Sequence, residues 1–254
     1  MKSLTLNLIA LPGIPLIQPG DDLAQLILQA LERAALTLQT GDVLVVTSKI
    51  VSKAEGRIFN LNDVVPGEEA ARVAAETLKD PRIVQLVLNE SLAISRSAPG
   101  VLITRHRLGF VSASSGIDQS NVDGGEERVL LLPLDPDASA RAIRAALLAA
   151  TEAEVGIVIS DSHGRPFRIG NAGVAIGIAG MPALLDLRGH TDLFGRELKM
   201  SIQAYADEVA SAANLLTGEA AEGLPVVLVR GLDFPPQDGH ASEYNRPLEQ
   251  DLFR

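Results

Sequence analysis

The chain contains no cysteine and no tryptophan among its 254 residues. It can therefore form no disulfide, no thiolate nucleophile and no cysteine-ligated zinc or iron–sulfur centre. Aromatic residues make up only 3% of the chain, which argues against stacking platforms for single-stranded nucleic acid. The net charge of −10 argues against a nucleic-acid-binding face, because phosphate contacts need a basic surface. We predict no nucleic-acid partner.

Long apolar runs are also missing, and the first apolar stretch is too short before Pro12 to resemble a signal peptide. These features predict a cytoplasmic protein without membrane attachment. The chain contains neither GxxxxGK[ST] nor a GxGxxG run that opens a helix, which excludes the P-loop and the ordinary dinucleotide fingerprint. A hydrophobic content of 46% nevertheless supports a sizeable core.

The mixture of antiparallel-looking and crossover-looking segments predicts an α+β fold with mixed, largely antiparallel sheets and packed helices. We further expect two closely associated subdomains. We predict helices at about 21–39, 67–79, 81–91, 137–151 and 205–216, from the spacing of apolar residues. Short runs rich in Val and Ile predict strands at 3–10, 42–51, 92–97, 101–105, 108–112, 128–132, 155–160, 170–180 and 226–229. Residues 1–234 form the predicted main domain, and residues 235–254 form a tail on the surface or against a partner.

Two of the chain's five lysines, Lys49 and Lys53, lie in the run TSKIVSK at residues 47–53. If this run continues the preceding strand, its period of two places both ammonium groups on one face. They are then candidate phosphate ligands, although lysines on an exposed edge strand are the ordinary alternative.

Two aspartates are predicted to lie in loops after strands, Asp118 in SSGIDQSN and Asp161 in ISDSHG. Carboxylates in such positions often only hydrogen-bond the local backbone. Together with Ser162, however, they offer oxygen ligands of the kind that Mg²⁺ and Mn²⁺ prefer. His163 follows directly and is a candidate base or a hydrogen-bond partner of the site.

Five motifs occur here in the order found in the coenzyme F420 gamma-glutamyl ligases, and on these motifs the chain resembles that family in its single-module form. They are LPGI (11–14), TSKIVSK (47–53), SSGIDQSN (114–121), SDSHGRPFRIGNAGVAIG (160–177) and ADEVASAANLLTGEA (206–220). The resemblance implies a gamma-glutamyl ligase-like fold and a GTP-dependent ligase that joins L-glutamate to the carboxyl of the coenzyme precursor through an acyl phosphate. It also implies a homodimer.

The resemblance also implies roles for individual residues. The GTP contacts are Leu11, Pro12, Gly13, Ile14, Ser48, Lys49, Lys53 and Asn121. The ligands of two divalent ions, manganese or magnesium, are Asp118, Asp161, Ser162 and Glu208, and a potassium ion is a further expected cofactor. Asp118, Asp161 and Lys53 carry the catalytic role.

Two alternatives stay open from the residues alone. One is a metal- and nucleotide-dependent ligase or kinase with another carboxylate acceptor. The other is a non-catalytic protein that binds a nucleotide. Asp207 competes with Glu208 as a metal ligand, and both are also explained as a solvated helix face.

Overall fold

The computed structural model describes residues 4–122 and 124–251. The strands are β1 (Asn7–Ala10), β2 (Val43–Thr47), β3 (Ile58–Asn60), β4 (Ser91–Ala98), β5 (Val101–His106), β6 (Val111–Ala113), β7 (Arg128–Leu130), β8 (Gly156–Arg165), β9 (Arg168–Ala179), β10 (Leu185–Asp186), β11 (Ile202–Gln203) and β12 (Val226–Arg230). The α-helices are α1 (Leu23–Arg33), α2 (Ser48–Ala54), α3 (Glu68–Thr77), α4 (Pro81–Asn89), α5 (Pro136–Thr151) and α6 (Tyr205–Thr217).

The largest sheet has five strands in the order β1-β12-β2-β8-β9. Only β2 and β8 run parallel, with Thr47 at the end of β2 opposite Ser160 in the middle of β8, and every other neighbouring pair in the sheet is antiparallel. Because parallel strands end at the same edge, the residues that follow β2 are brought beside the last part of β8. This edge carries the candidate site.

Both faces of the five-stranded sheet are buried. One face packs against α1, α2 and α5 through a core that includes Ile27, Leu147 and Ile157. The other packs against α6 through a core that includes Val158, Val209 and Val227. A sheet covered on both faces needs continuous apolar strands, which explains the runs VLVV and VVLV in β2 and β12.

A second, smaller part of the molecule contains the antiparallel sheet β4-β5-β6 and the antiparallel pair β3-β7. Helices α3 and α4 pack there on two further hydrophobic clusters, which include Val84, Leu102 and Val129. The predicted α+β class with mixed, largely antiparallel sheets in two associated parts is confirmed.

The predicted helices all form, with α1 ending at Arg33 rather than near residue 39. Asp22 caps α1 by accepting a hydrogen bond from the Gln25 N–H. The chain leaves this helix through Ala35, whose φ of 53° stops the helical hydrogen bonding. The predicted strand at 3–10 is found from Asn7, and residue 3 lies outside the described residues.

The prediction that residues 42–51 form one strand was wrong. The strand β2 ends at Thr47, and TSKIVSK enters helix α2 with Thr47 at its N-cap position in an extended conformation. The apolar residues Ile50 and Val51 are buried by helical packing rather than by strand pairing. Lys49 and Lys53 still share a face, because residues four apart are neighbours on a helix.

The prediction that Asp161 lies in a loop was also wrong. β8 continues through Asp161 to Arg165 and pairs with β9, with Asp161 opposite Val174. Gly and Ser around Asp161 resemble turn residues in the sequence, but the turn of this hairpin falls after Arg165, where Phe167 has a φ of 60°.

The described part of the tail, up to Asp251, folds back on the main body. The Gly239 N–H donates to the Met181 carbonyl at 2.9 Å, and the Tyr244 hydroxyl donates to the Ala183 carbonyl at 2.7 Å. The division at residue 234 stays a prediction. Within residues 4–122 and 124–251, no helix is both long and apolar enough to cross a membrane.

Candidate active site

Helix α2 directs both lysines toward the segment that follows Ile117. The Lys49 ammonium lies 2.7 Å from Asp118 Oδ2 and also donates to the carbonyl and the hydroxyl of Ser120. The Lys53 ammonium is largely buried and donates to the Asn121 carbonyl at 2.7 Å. Four of the predicted site residues therefore meet directly: Lys49, Lys53, Asp118 and Asn121.

Asp118 is held in place by its own backbone and by its neighbours. Its N–H and carbonyl both pair with Leu130, and its carboxylate accepts the Ser120 N–H at 2.7 Å. Burial alone would raise the pKa of this carboxyl. The hydrogen bonds from Lys49 and Ser120 outweigh burial, so that the pKa lies below its usual range. Asp118 is therefore ionised at neutral pH.

The end of β8 supplies the second acidic group. Asp161 Oδ1 accepts the Ser48 hydroxyl at 3.2 Å, which links β8 to the first residue of α2. Asp161 Oδ2 lies 3.0 Å from His163 Nε2. The parallel pairing of β2 with β8 brings Ser48 to Asp161, although the two residues are 113 positions apart in sequence.

Sequence reasoning did not select Glu219, which the structure places beside Ser162. The Ser162 hydroxyl donates to Glu219 Oε2 at 3.0 Å, and Asn214 donates to the other carboxylate oxygen at 2.9 Å. Glu219 follows Gly218 at the end of α6. One feature of the sequence could have identified Glu219: it is an acidic residue directly after a helix-ending glycine, within the last of the five motifs.

These groups line one pocket of about 1020 Å³. Of the predicted site residues, it takes in Ile14, Ser48, Lys49, Lys53, Asp118, Asn121, Asp161 and Ser162. The loop after α6 closes one wall, where the Ala220 carbonyl accepts a hydrogen bond from the Asn121 side chain at 2.9 Å. The walls combine apolar and charged groups, as small-molecule sites do.

Leu11, Pro12 and Gly13 are not among the residues that line this pocket. Leu11 is fully buried and its N–H donates to the Val226 carbonyl. Gly13 has a φ of +77°, and its carbonyl accepts a hydrogen bond from Arg33. These three residues therefore position Ile14, the first residue of the motif that reaches the pocket.

Glu208 does not join the other predicted metal ligands in this chain. It lies in the first turn of α6 and accepts a hydrogen bond from Gln203 at 2.6 Å, outside the pocket lining. Its neighbour Asp207 accepts the Ala175 N–H at 2.8 Å, and burial raises the pKa of Asp207. Asp207 therefore serves the packing of α6 on β9.

The donor chemistry of the pocket suits a hard divalent cation. Asp118, Asp161, Ser162 and Glu219 all present oxygen atoms, and sulfur is absent from the set. Hydroxyl and ammonium donors now hold these oxygens. Among residues 4–122 and 124–251, no three acidic or histidine side chains converge closely enough to form a complete cage by themselves.

Residues 13–231 match the model of the family described as F420-0:Gamma-glutamyl ligase. This range covers most of the chain and contains every element that lines the pocket. The chain belongs to the F420-0:gamma-glutamyl ligase family. The resemblance of the five motifs to this family is thereby confirmed.

Relatives within the F420-0:gamma-glutamyl ligase family match over nearly their whole length. The chain is 44% identical to a coenzyme F420:L-glutamate ligase of Methanothermobacter thermautotrophicus, over 98% of this chain and 99% of the relative. It is 45% identical to the protein of that name from Archaeoglobus fulgidus, over 95% and 94%. The corresponding protein of Methanocaldococcus jannaschii is 42% identical, over 95% and 94%.

Proposed function

We propose that this protein joins L-glutamate to the carboxyl group of the coenzyme F420 precursor, with GTP as the energy source. The observation that carries the proposal is the meeting of Lys49 and Lys53 with Asp118 and Asp161 at one pocket. Family membership and the names of the full-length relatives support the choice of substrates.

Amide formation in water needs an activated carboxyl group. In the proposed reaction, a carboxylate oxygen of the precursor attacks the γ-phosphorus of GTP, and the bond from that phosphorus to the β–γ bridging oxygen breaks. GDP leaves. The ammonium group of glutamate first loses one proton to solvent or to a base. The resulting amine attacks the acyl carbon of the acyl phosphate, inorganic phosphate leaves, and the new amide nitrogen loses a second proton. No protein nucleophile is needed, which suits a chain without cysteine.

In the proposed reaction, Lys49 and Lys53 would contact the phosphates of GTP. Negative charge concentrates on the transferred phosphoryl group, and preorganised cations stabilise such charge well in a site with little water. Lys53 is largely buried and is fixed by the Asn121 carbonyl, so little reorganisation is required of it. Lys49 is more exposed, and its present partners Asp118 and Ser120 hold it at the pocket wall.

Asp118, Asp161, Ser162 and Glu219 are the residues that would hold divalent metal. A bound Mn²⁺ or Mg²⁺ ion supplies neutralisation of phosphate and carboxylate oxygens. The remaining proposals follow the resemblance alone: potassium as a further cofactor, and the cytoplasm as the location. Glu208 stays a proposed metal ligand only if another part of a dimer approaches it.

A homodimer is proposed on a separate observation. Apolar side chains are almost fully exposed at the β8–β9 turn and in the segment between β10 and β11, namely Phe167, Ile169, Leu193, Phe194 and Met200. Large apolar side chains with this degree of exposure are typical of interaction surfaces. Sedimentation velocity measures the mass directly, and a monomer at micromolar concentration would contradict the dimer.

The function is tested by mass spectrometry of the precursor after incubation with the protein, L-glutamate, GTP and Mn²⁺. We expect a gain of one or more glutamyl units and release of GDP in the complete mixture only. Omission of GTP, of metal or of glutamate serves as the control. GTP binding without any product from this precursor would contradict the proposal and favour another acceptor.

A further inference from the structure

Three aromatic rings form a column that ends at Asp161. The rings of His106 and Phe110 are parallel within 4°, with their centroids 5.0 Å apart. The Phe110 ring is tilted by 51° to that of His163, at a centroid distance of 4.9 Å. Both distances lie in the range in which aromatic rings attract each other in preferred orientations. His163 in turn contacts the Asp161 carboxylate at 3.0 Å.

The far end of the column is fixed in the smaller part of the molecule. His106 is fully buried, and its Nδ1 accepts the Leu108 N–H at 3.0 Å, which leaves the ring proton on Nε2. That nitrogen lies 3.6 Å from Glu90 Oε2. Glu90 is itself paired with Arg57 at 2.8 Å and with Arg107 at 3.0 Å. His106 therefore has one orientation and one tautomer.

A tight turn holds Phe110 over His106. The His106 N–H donates to the Phe110 carbonyl at 2.8 Å, and Gly109 between them has a φ of +100°. The side chain of Asn245, from the tail, donates to the Leu108 carbonyl at 2.9 Å and fills the space where a Cβ on Gly109 would lie. The turn is therefore held on both sides.

At the near end, Asp161 is held at both of its oxygens. Ser48 occupies Oδ1 and His163 occupies Oδ2. The His163 side chain is only 13% exposed and does not line the pocket, so its contact with the site passes through Asp161. Its ring packs at a tilt against the Phe110 ring, and this contact limits the rotation of the imidazole.

We propose that Phe110 is a positioning residue, which fixes the His163 ring and through it the orientation of the Asp161 carboxylate. The inference rests on the proposed function, in which Asp161 belongs to the reacting site. Phe110 does not itself line the pocket. Its effect on turnover therefore depends on His163 being present.

A double-mutant cycle tests this dependence. Phe110→Leu removes the aromatic face while keeping an apolar group, and His163→Ala removes the group on which the ring acts. We expect Phe110→Leu to lower kcat roughly tenfold, with KM for GTP within about twofold of wild type. In the His163→Ala background the same substitution should change kcat by less than about twofold, because coupled residues are not additive.

Two further variants separate positioning from general loss of structure. Phe110→Tyr keeps the ring and should restore kcat to within about twofold of wild type. Phe59→Leu makes the same substitution at another half-buried phenylalanine, outside the column, and should leave kcat unchanged. Equal losses in Phe110→Leu and Phe59→Leu, or additive losses in the cycle, would overturn the inference. If Phe110→Leu does not fold, Phe110→Met replaces it in the same cycle.

If the wild-type protein adds no glutamate, the proposed function is contradicted. The double-mutant cycle is then repeated with another readout, the dissociation constant of Mn²⁺ measured by electron paramagnetic resonance. Roughly tenfold weaker binding in Phe110→Leu, lost in the His163→Ala background, supports the inference without the ligase reaction. Equal Mn²⁺ affinity in all four proteins overturns it. A wild-type protein that binds no Mn²⁺ overturns both.

Discussion

At the scale of the residue, the pocket brings opposite charges into direct contact. Lys49 neutralises Asp118, while Asp161 is satisfied by the Ser48 hydroxyl and by His163. A carboxylate in a half-buried site is costly without such partners. The contacts with Lys49, Ser48 and His163 therefore stabilise both carboxyl side chains in the free protein.

Asp161→Ala should abolish glutamate addition, because it removes a proposed metal ligand from the reacting site. Asp161 is not part of the apolar core, so the melting temperature should stay within a few degrees of wild type. Product formation and thermal unfolding are measured on the same preparation. Glu32→Ala on the exposed face of α1 is the control. Full activity in Asp161→Ala would refute the assignment.

Lys53→Ala should raise KM for GTP about tenfold or more, because a charge-assisted contact to phosphate contributes roughly 1.5–3 kcal/mol. Steady-state kinetics at saturating glutamate measure the effect. Lys79→Ala, in the segment that follows α3 and outside the pocket lining, should leave KM and kcat unchanged. An unchanged KM and kcat in Lys53→Ala would show that the lysine has only a structural role.

At the scale of the element, β9 is enclosed between two helices that approach its backbone closely. A Cβ on Gly177 would lie 2.5 Å from the backbone of Pro136 in α5, and one on Gly173 would lie 2.6 Å from the Ala210 carbonyl in α6. Side chains at these positions would force the helices outward. The glycines thus set the spacing between the sheet and the helices that cover it.

Gly177→Ala should destabilise the protein by about 2 kcal/mol, because the added methyl group overpacks a site walled by backbone. Gly164→Ala is a matched control in the same hairpin, where the nearest atom to a new Cβ is a side-chain oxygen at 3.8 Å. Its effect should be below about 0.5 kcal/mol. Urea unfolding measures both variants, and equal stabilities would disprove the packing argument.

At the scale of the whole molecule, Glu90 contacts side chains from separate segments of the chain. It contacts Arg57, which follows α2, and Arg107, whose guanidinium also donates to the carbonyls of Pro133 and Leu134. Burial raises the pKa of Glu90, but the contacts with His106, Arg57 and Arg107 outweigh it and lower the pKa to about 2.

The lowered pKa predicts a loss of stability in acid. A carboxyl group with a depressed folded-state pKa stabilises the protein fully above its unfolded value of 4.5, and the contribution is lost as the pH falls toward 2. Glu90→Gln should therefore cost roughly 3 kcal/mol at pH 7 and far less near pH 2. Urea unfolding across this range checks the slope, with Glu32→Gln as control. A cost independent of pH would contradict the linkage.

The sequence predicted the elements better than their boundaries. Apolar spacing located every α-helix except α2, and alternation located most strands. The helix α2 was missed because Val and Ile continue from β2 into TSKIVSK, and buried helices and strands share such composition. Asp161 was placed in a loop because Gly and Ser usually mark turns, whereas here the strand pairing extends past them.

The site was predictable where a motif is short and local. Lys49 with Lys53, and Asp118 with Asn121, are recognisable at their own spacing. The meeting of Asp161 with Ser48 depends on a parallel pairing across 113 residues, which periodicity cannot specify. Glu219 and Phe110 were not selected, because their roles come from neighbours that are distant in sequence: Ser162 for the first, His163 for the second.

The position of β12 has a consequence for how the protein is made. It is the last strand of the large sheet in sequence, yet it lies between β1 and β2. During synthesis, β1 therefore cannot pair with β12 until residue 230 has left the ribosome. Long-range pairing of this kind slows folding and leaves strand edges exposed meanwhile. The large sheet therefore cannot close before β12 is available, however quickly the separate helices form.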